Sequence, residues 1–337
     1  MSAPRATLSP SLAFDIPAEI ERIAAWLREA LAAPLRRRGF VVAVSGGIDS
    51  SVSAALAVRA IGPKRVLGLL LPERDSDPVS RELAVRLAEQ LGIDYVVEDI
   101  APALEAAGCY ARRDEAAKMA EPAYGDGWRC KLVLPTERLE TDRINVSALQ
   151  VCAPGGVPYQ VRLSAAAYRQ LVAAVNFKQR VRKMFEYYHA DRLHFAVVGT
   201  PNRLEYDQGF FVKGGDGLAD VKPIAHLYKT QVYALAHAMG LPAEIVLRPP
   251  TTDTFSLPQS QEEFYFSLPH HQLDVALHAL NTGRPAAEVA AELGLSLDVI
   301  ERTWQDIVQK RATTHALHVT SLLVEPVSLA FPPRGQA

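Results

Sequence analysis

Segments typical of strands alternate with segments typical of helices along most of this chain, and this alternation constrains its fold more than any other feature. The apolar run FVVAV at residues 40–44 is followed by residues 50–60, whose apolar positions recur at helical spacing. Further strands are predicted at residues 65–71, 94–100 and 194–199, and further helices at residues 18–32, 79–91, 176–190 and 229–239. The alternation predicts an α/β fold with a doubly wound parallel sheet. Ligands of such sheets bind beyond the carboxyl ends of the strands.

One segment, residues 109–174, does not follow this alternation. Its turn signals GDG (residues 125–127) and PGG (residues 154–156) separate short apolar runs of strand type. We therefore predict an inserted β-rich lobe at residues 109–174. We assign the lobe to a single domain of residues 12–330, with a helical C-terminus that contains a hairpin at residues 281–315.

Composition and charge exclude several classes of protein. The 337 residues include 36 Lys and Arg and 38 Asp and Glu, and the resulting net charge of −2 gives no general attraction for nucleic acid or anionic lipid. No apolar stretch reaches the roughly 18 residues of a membrane span, and the N-terminus lacks the apolar core of a signal peptide. The three cysteines form no C-x-x-C pair, which fits a reducing compartment. We therefore expect a cytoplasmic protein without a membrane or nucleic-acid partner.

The hexapeptide SGGIDS joins the first predicted strand to the helix behind it. Gly46 and Gly47 let backbone N–H groups face one concavity, and Ser45 and Ser50 add hydroxyl groups. Together with the positive end of the helix, these groups predict a cradle for a polyphosphate. Asp49 would repel phosphate unless it held a cation, so it is a candidate ligand of Mg²⁺. The alternative is an ordinary tight turn between a strand and a helix.

Several motifs in order resemble one enzyme family. The hexapeptide is similar to the signature of the N-type ATP pyrophosphatases, which split ATP between its α- and β-phosphates. Residues 197–232 (VVGTPNRLEYDQGFFVKGGDGLADVKPIAHLYKTQV) resemble the ammonia-dependent NAD synthetases at matching spacing. Residues 176–182 resemble the N-x-K-A-R-x-R helix of that family, and residues 248–253 resemble its P-P-[ST]-A-D segment. The resemblance covers about residues 18–104 and 176–280, well over half of the chain.

The resemblance implies a Rossmann-like fold of the adenine-nucleotide α-hydrolase type. It also implies a reaction in which the carboxylate of deamido-NAD attacks the α-phosphate of ATP and ammonia captures the acyl-adenylate, which gives NAD, AMP and pyrophosphate. Members of the family are homodimers with the dinucleotide site near the interface. We recognise no glutaminase segment in the sequence, so ammonia is expected to be free or to come from a separate glutaminase.

The family roles can be transferred to single residues of this chain. The resemblance assigns ATP binding to Ser45, Gly46, Gly47, Asp49, Ser50, Thr200, Lys229 and Thr251. It assigns Mg²⁺ binding to Asp49 and Glu205, and catalysis to Asp49 and Lys229. It assigns binding of the dinucleotide substrate to Arg180, Lys213 and Asp220. Lys229 and the metal would offset negative charge at the α-phosphate, and an arginine can bind a phosphate through two parallel bonds.

Three of these assignments have structural alternatives. Lys213 is also typical of a solvated loop, Asp220 of a turn cap, and Glu205 of a helix cap. The chain also departs from the family pattern at Gln179, Pro201, Gly214 and Thr252, and the C-terminal H-K-R segment of the family is not found in order. Lys310, Arg311 and His315 lie nearby but out of register.

The departures leave a second hypothesis, an amide ligase that keeps the adenylation chemistry and acts on a different carboxylate. They also predict that the insert at residues 109–174 lines or covers the acceptor-carboxylate half of the site rather than the ATP half. A third hypothesis is a nucleotide- or DNA-binding regulator, because residues 288–312 have a helix-turn-helix pattern. Residues 281–312 contain four basic and five acidic residues, however, and DNA binding needs a positive surface, so a packing hairpin is favoured.

Overall fold

The computed structural model describes residues 8–133, 148–250, 254–266 and 268–327. Its strands are β1 (Phe40–Ala43), β2 (Val66–Leu70), β3 (Asp94–Val97), β4 (Arg129–Val133), β5 (Ala148–Cys152), β6 (Tyr159–Arg162) and β7 (Ala196–Val198). Its helices are α1 (Ile16–Ala32), α2 (Ile48–Ile61), α3 (Pro78–Leu91), α4 (Ala101–Ala106), α5 (Cys109–Ala120), α6 (Ala165–Leu193), α7 (Arg203–Gln208), α8 (Lys229–Ala238), α9 (Ala243–Leu247), α10 (Gln261–Phe264), α11 (His270–Thr282), α12 (Ala286–Leu293) and α13 (Leu297–His318).

Four parallel strands form the central sheet in the order β3-β2-β1-β7. Successive side chains of β1 point to opposite faces: Phe40 and Val42 join the core beneath α1, α2 and α8, whereas Val41 joins the core beneath α6. Both faces of the sheet are therefore covered by helices, as parallel sheets require. The predicted α/β fold with a doubly wound parallel sheet is confirmed.

The insert differs from its prediction at both ends. Residues 109–120 form helix α5 rather than β structure, and the helix predicted to begin at residue 176 begins at Ala165, where the side chain of Ser164 accepts a hydrogen bond from the N–H of Ala167. The β-rich prediction is therefore wrong at these two ends, because helix formers in α5 and the cap at Ser164 favour helices there. The domain boundaries at 12–330, 109–174 and 281–315 stay predictions.

Between these two helices lies an antiparallel sheet in the order β4-β5-β6, which we call the insert sheet. Leu132 and Leu149 of the insert sheet pack with Leu171 of α6 and Ala117 of α5 in one apolar cluster. The insert sheet therefore rests on the first half of α6, and the second half of that helix covers the central sheet.

An ion network ties α5 and α6 to the loop after β2. The ammonium group of Lys178 lies 2.9 Å from a Glu73 carboxylate oxygen and 2.8 Å from an Asp75 carboxylate oxygen. The Arg113 guanidinium reaches Asp75 at 2.7 Å, and the Tyr110 hydroxyl donates to Glu73 at 2.8 Å. All the charged side chains in this network are at most 8% exposed, so the network fixes the root of the insert against the central sheet.

The C-terminal helices form a separate apolar cluster in which Val289 of α12 packs with Ile300 and Ile307 of α13. The Trp304 indole N–H donates to the carbonyl of Ala276 in α11 at 2.8 Å. Near its end, α13 lies so close to Gly209 that a Cβ atom there would clash with Thr314. Among the described residues, no helix combines the length and apolar character needed to cross a bilayer.

Candidate active site

A cleft of about 1450 Å³ opens where β1, β2 and β7 end. This is the carboxyl edge of the parallel sheet, at which folds of this type bind their ligands. The cleft wall includes the hexapeptide loop, the loops after β2 and β7, and one face of α6. Among the charged side chains on the wall are Asp49, Glu205 and Lys229.

The hexapeptide forms a closed turn ahead of α2. The Ser50 hydroxyl donates to the carbonyl of Gly47 at 3.0 Å, and the Ser45 N–H donates to the Ser50 hydroxyl oxygen at 3.2 Å. Gly46 has a φ of +74°, and a Cβ atom there would clash with the carbonyl oxygen of Ser80, so only glycine fits. Gly47 is the N-cap of α2 and supplies no capping side chain. The N–H groups of the first turn of this 14-residue helix are therefore available to an anion in the cleft.

Asp49 lies in the first turn of α2 and meets two later segments of the chain. The ammonium group of Lys229, the first residue of α8, donates to one carboxylate oxygen of Asp49. The side-chain amide of Asn202 donates to the other oxygen at 3.1 Å. Lys229 is completely buried, and burial alone would lower its pKa, but the charges of Asp49 and Glu205 outweigh burial and raise the pKa above its usual value. Lys229 is therefore a fixed positive charge at the cleft wall.

Glu205 lies in the first turn of α7, beside Asp49. Asn202 and Glu205 form a reciprocal capping box, in which the Asn202 N–H donates to a Glu205 carboxylate oxygen at 3.1 Å. The side-chain amide of Gln261 donates to the other oxygen at 3.0 Å. Burial, and after it the charge of Asp49, raise the pKa of Glu205 to about 8. Lys229 and the two hydrogen bonds offset this rise only in part.

The carboxylates of Asp49 and Glu205 fit a hard divalent cation. Both supply oxygen ligands, and Lys229 compensates only one of their two negative charges. A cation in the cleft would therefore relieve the repulsion from Asp49, which after burial is the second cause that raises the pKa of Glu205. In the part of the chain that the structure describes, no group of three or more His, Cys, Asp or Glu side chains could hold a metal. A cation bound by these two carboxylates would therefore take further ligands from phosphates and water, as Mg²⁺ does in nucleotide sites.

A carboxylate from α11 fixes the start of α8. Asp274 is fully buried and accepts hydrogen bonds from the N–H of Lys229 at 3.2 Å and from the N–H of Thr230 at 2.7 Å. It thus caps α8 from another helix and orients the Lys229 backbone. Burial raises the pKa of Asp274 to about 6, although hydrogen bonds from Thr230 act in the opposite direction.

The sequence of this chain matches a known protein family over most of its length. The family model described as NAD synthase matches residues 19–123 and 115–316. The chain belongs to the NAD synthase family. Its relatives include proteins named NH(3)-dependent NAD(+) synthetase from Mesorhizobium japonicum (57% identical over 312 residues, 93% of this chain and 98% of the relative) and Rhizobium meliloti (56% over 317 residues, 94% of each chain). A relative of the same name from Thermotoga maritima is 36% identical over 249 residues, 72% of this chain and 80% of the relative.

Solved structures of low sequence identity share the fold of this NAD synthase family member. An NMN synthetase from Francisella tularensis has a TM-score of 0.63 at 23% identity and covers 92% of this chain and 99% of its own. An NH3-dependent NAD synthetase from Campylobacter jejuni has a TM-score of 0.60 at 21% identity and covers 93% of this chain and 100% of its own. Both support the Rossmann-like fold of the adenine-nucleotide α-hydrolase type.

The three residues assigned to the dinucleotide do not all lie together. Arg180 and Lys213 line the cleft, and the Arg180 guanidinium donates to the carbonyl of Lys213 at 3.3 Å. The ammonium group of Lys213 donates to the carbonyls of Ala316 and Val319 at the end of α13, at 2.8 and 2.7 Å. Asp220 is not among the described residues of the cleft wall. It accepts hydrogen bonds from the Val197 N–H at 2.7 Å and from a tyrosine hydroxyl of α6.

Of the two threonines assigned to ATP in this NAD synthase family member, only one lies among the described residues. Thr200 lines the cleft between β7 and α7, whereas Thr251 and its neighbour Thr252 lie outside the described residues. Lys310 donates to the carbonyl of Tyr265 at 2.8 Å and Arg311 pairs with Asp207, and neither basic residue is among the described residues that line the cleft. The residues of α13 that line the cleft are Thr314 and Leu317.

Sequence reasoning missed several residues of the site. Asn202 and Glu205 stand at the spacing of a capping box, a local signal that could have revealed Asn202. Asp274 and Gln261 carry no such signal, because they reach their partners only through the tertiary fold. A buried pair of Lys183 and Glu186, 2.7 Å apart on the cleft face of α6, was also missed. Its three-residue spacing on one helix is a local signal, but its burial depends on the tertiary fold.

Proposed function

We propose that this chain is an ammonia-dependent NAD synthetase, which uses ATP and Mg²⁺ to convert the carboxylate of deamido-NAD into the amide of NAD. The observation that supports it most is the meeting of Asp49, Glu205 and Lys229 beside the open N-terminus of α2 in a member of the NAD synthase family. A site that only held a nucleotide would not need two carboxylates and a buried lysine directed at one phosphate position.

The hexapeptide holds the triphosphate of ATP in this proposal. The N–H groups of the first turn of α2 and the hydroxyl of Ser45 offer donors to phosphate oxygens, and the helix dipole adds positive potential. Ser50 keeps the turn closed by donating to the Gly47 carbonyl, and its own assignment to ATP rests on the family resemblance. Thr200 and Thr251 are assigned to ATP as well, on the family resemblance. The charge of Lys229, fixed by Asp49 and by the cap at Asp274, offsets negative charge that develops at the α-phosphate.

Asp49 and Glu205 would hold Mg²⁺, and when bound it neutralises the departing pyrophosphate. An oxygen of the substrate carboxylate attacks the α-phosphorus, and the bond to the β-phosphate oxygen breaks. Ammonia then attacks the acyl carbon, AMP leaves with the carboxylate oxygen, and the nitrogen loses a proton to give the amide. Arg180 and Lys213, which line the same cleft, supply positive charge for the phosphates of the dinucleotide. The assignment of Asp220 to the substrate stays a prediction, and its two hydrogen bonds support a positioning role.

We also propose a homodimer and an external source of ammonia, either free ammonium or a separate glutaminase. The dimer is proposed on the family resemblance, and Met184 and Tyr188, which are 56% and 59% exposed one turn apart on α6, are candidates for its interface. Light scattering of the purified protein measures the oligomeric state. A monomer at micromolar concentration would contradict this part of the proposal.

The acceptor is tested with a panel of carboxylates, each supplied with ATP, Mg²⁺ and ammonium. We expect NAD, AMP and pyrophosphate in equal amounts from deamido-NAD, and pyrophosphate release that depends on this acceptor. Release that depends on another carboxylate would favour the second hypothesis, an amide ligase with a different substrate. Failure to release pyrophosphate with any acceptor would overturn the adenylation chemistry.

A further inference from the structure

Gln261 holds one oxygen of Glu205, a carboxylate that we assign to the metal. Its side-chain amide donates to Oε1 of Glu205 at 3.0 Å, and the backbone N–H of Asn202 donates to Oε2 at 3.1 Å. Because each oxygen accepts one hydrogen bond, the carboxylate of Glu205 cannot rotate about its Cγ–Cδ bond without breaking one of them. Removing the donor from Gln261 would leave Oε1 free to rotate out of the orientation that the cleft requires.

The imidazole of His270 supports this orientation of the Gln261 amide. Nε2 of His270 lies 3.3 Å from Oε1 of Gln261. In the tautomer that carries its proton on Nε2, His270 donates to this oxygen, and the NH₂ end of Gln261 then faces Glu205. Gln261 also belongs to the segment that follows the P-P-T-T-D motif, and its backbone N–H donates to the carbonyl of Pro250 at 3.3 Å.

The insert sheet holds the segment that leads to Gln261. The N–H of Cys130 in β4 donates to the Ser256 hydroxyl at 2.9 Å, and the N–H of Leu257 donates to the carbonyl of Cys130 at 3.2 Å. The side-chain amide of Gln259, which is 2% exposed, donates to the carbonyl of Leu132. Residues 256–259 therefore run along the free edge of β4, opposite the edge that pairs with β5.

Apolar packing reinforces these hydrogen bonds. Phe255 is 3% exposed and belongs to the same apolar cluster as Leu132 and Leu149 of the insert sheet. The segment is thus held by its backbone, its polar side chains and one aromatic ring. This links the insert to the carboxylates on the metal side of the cleft, a link that the sequence did not predict. The predicted contact of the insert with the acceptor half stays a prediction.

We propose that Gln261 is a positioning residue for Glu205 and that the insert sheet, through residues 255–259, holds Gln261 in place. This inference rests on the proposed function in one respect, namely that Glu205 is a ligand of the catalytic cation. Partners that orient a metal ligand without touching the metal typically change metal affinity by about 10- to 100-fold when they are removed.

The test measures binding of Mn²⁺, as a probe for Mg²⁺, by electron paramagnetic resonance in the presence of α,β-methylene-ATP and without any acceptor. We expect Gln261→Leu to weaken Mn²⁺ binding by about 10- to 100-fold. Gln261→Asn, whose amide is one methylene too short to reach Glu205, should act in the same direction and serves if the leucine variant does not fold. In turnover assays both variants should raise the KM for Mg²⁺ and recover kcat at saturating metal, which a merely structural defect would not do.

Two further variants separate the parts of the proposal. Gln259→Leu removes the hydrogen bond to the carbonyl of Leu132 in β4 but keeps Gln261. It should weaken Mn²⁺ binding less than Gln261→Leu does. Gln170→Leu makes the same chemical change on the α5 side of the insert, where Gln170 faces Arg112 and Glu115, and it should bind Mn²⁺ like the wild type. Weakened binding in Gln261→Leu alone would overturn the role of the insert sheet.

The outcomes also distinguish this inference from the proposed function. Wild-type affinity in a Gln261→Leu variant that melts like the wild type would overturn the inference and leave the proposed function intact. An absence of nucleotide-dependent Mn²⁺ binding in the wild-type protein would overturn the proposed metal site and the inference with it. A change of acceptor would affect neither measurement, because no acceptor is present.

Discussion

The ammonium group of Lys229 donates a hydrogen bond to the carboxylate of Asp49, 180 residues away in the chain. The contact joins the first turn of α8 to the first turn of α2, and Asn202 adds the first turn of α7 through its bond to Asp49. Three helix N-termini therefore meet beyond the carboxyl edge of the sheet, and that of α2, which has no side-chain cap, offers positive potential where a triphosphate would lie. Asp49 and Glu205 are the negative groups among them, and this is the arrangement that a bound cation would complete.

Asp49→Asn is expected to abolish turnover while the protein stays folded. The amide keeps the shape of the side chain but loses the charge that pairs with Lys229 and would bind the cation. Loss of a group that stabilises charge at a reacting centre typically costs on the order of 10²–10³ in rate. Pyrophosphate release and thermal melting should be measured on the same sample. Near-normal release would refute the assignment of Asp49 to the metal.

Asp274→Ala is expected to destabilise the protein more at pH 4.5 than at pH 7.5. The pKa of Asp274 is about 6 in the folded chain against 3.8 for an unperturbed aspartate, so between these values the folded state binds the proton more tightly. The contribution of Asp274 to the free energy of unfolding is therefore greatest below about pH 3.8. It falls by up to about 3 kcal/mol as the pH rises to about 6. Thermal melts of both proteins across this range provide the measurement. An equal loss at both pH values would show that burial does not raise this pKa.

Lys178→Met is expected to lower the free energy of unfolding by about 3–5 kcal/mol, because it leaves the buried carboxylates of Glu73 and Asp75 without their shared cation. The matched control is Glu244→Gln, which breaks an ion pair with Arg86 whose two side chains are 57% and 56% exposed, and which should cost less than about 1 kcal/mol. Denaturant titrations compare the two variants. Similar small effects in both would mean that the network does not fix the insert.

The hairpin of α12 and α13 is expected not to bind DNA. Its basic side chains are already engaged within the protein: Arg302 pairs with Asp298 and Arg311 pairs with Asp207. Phosphate contacts require free positive charge, and these pairs leave little. Fluorescence anisotropy with mixed-sequence duplexes at low salt is the measurement. Salt-dependent binding tighter than about micromolar, beyond ordinary non-specific strength, would revive the regulator hypothesis.

The parts of the site that the sequence predicted are formed by residues that lie close together in the sequence. The strand, the glycine turn and the helix that follow one another from Phe40 to Ile61 are local, so pattern and turn chemistry suffice to place Asp49 at a helix N-terminus. Glu205 follows from the motif around it, and its role as a capping-box residue is visible at the same spacing.

The parts that the sequence did not predict depend on segments that meet only in the folded protein. Asp274 caps a helix that begins 45 residues earlier in the chain, and Gln261 reaches Glu205 across 56 residues. The error at α5 was of a different kind. Its sequence, CYARRDEAAKMA, is rich in helix formers, but the glycine-containing turns that follow it indicate β structure, and the β-rich prediction includes both.

The most direct test of the account follows one oxygen atom. Deamido-NAD labelled with ¹⁸O in its carboxylate is incubated with ATP, Mg²⁺, ammonium and the wild-type protein, and the products are analysed by mass spectrometry. Attack of the carboxylate on the α-phosphate predicts one ¹⁸O atom in each AMP, unlabelled pyrophosphate, and NAD formed in equal amount. Label in inorganic phosphate or pyrophosphate, or NAD formed with unlabelled AMP, would contradict adenylation of the carboxylate as the reaction of this cleft.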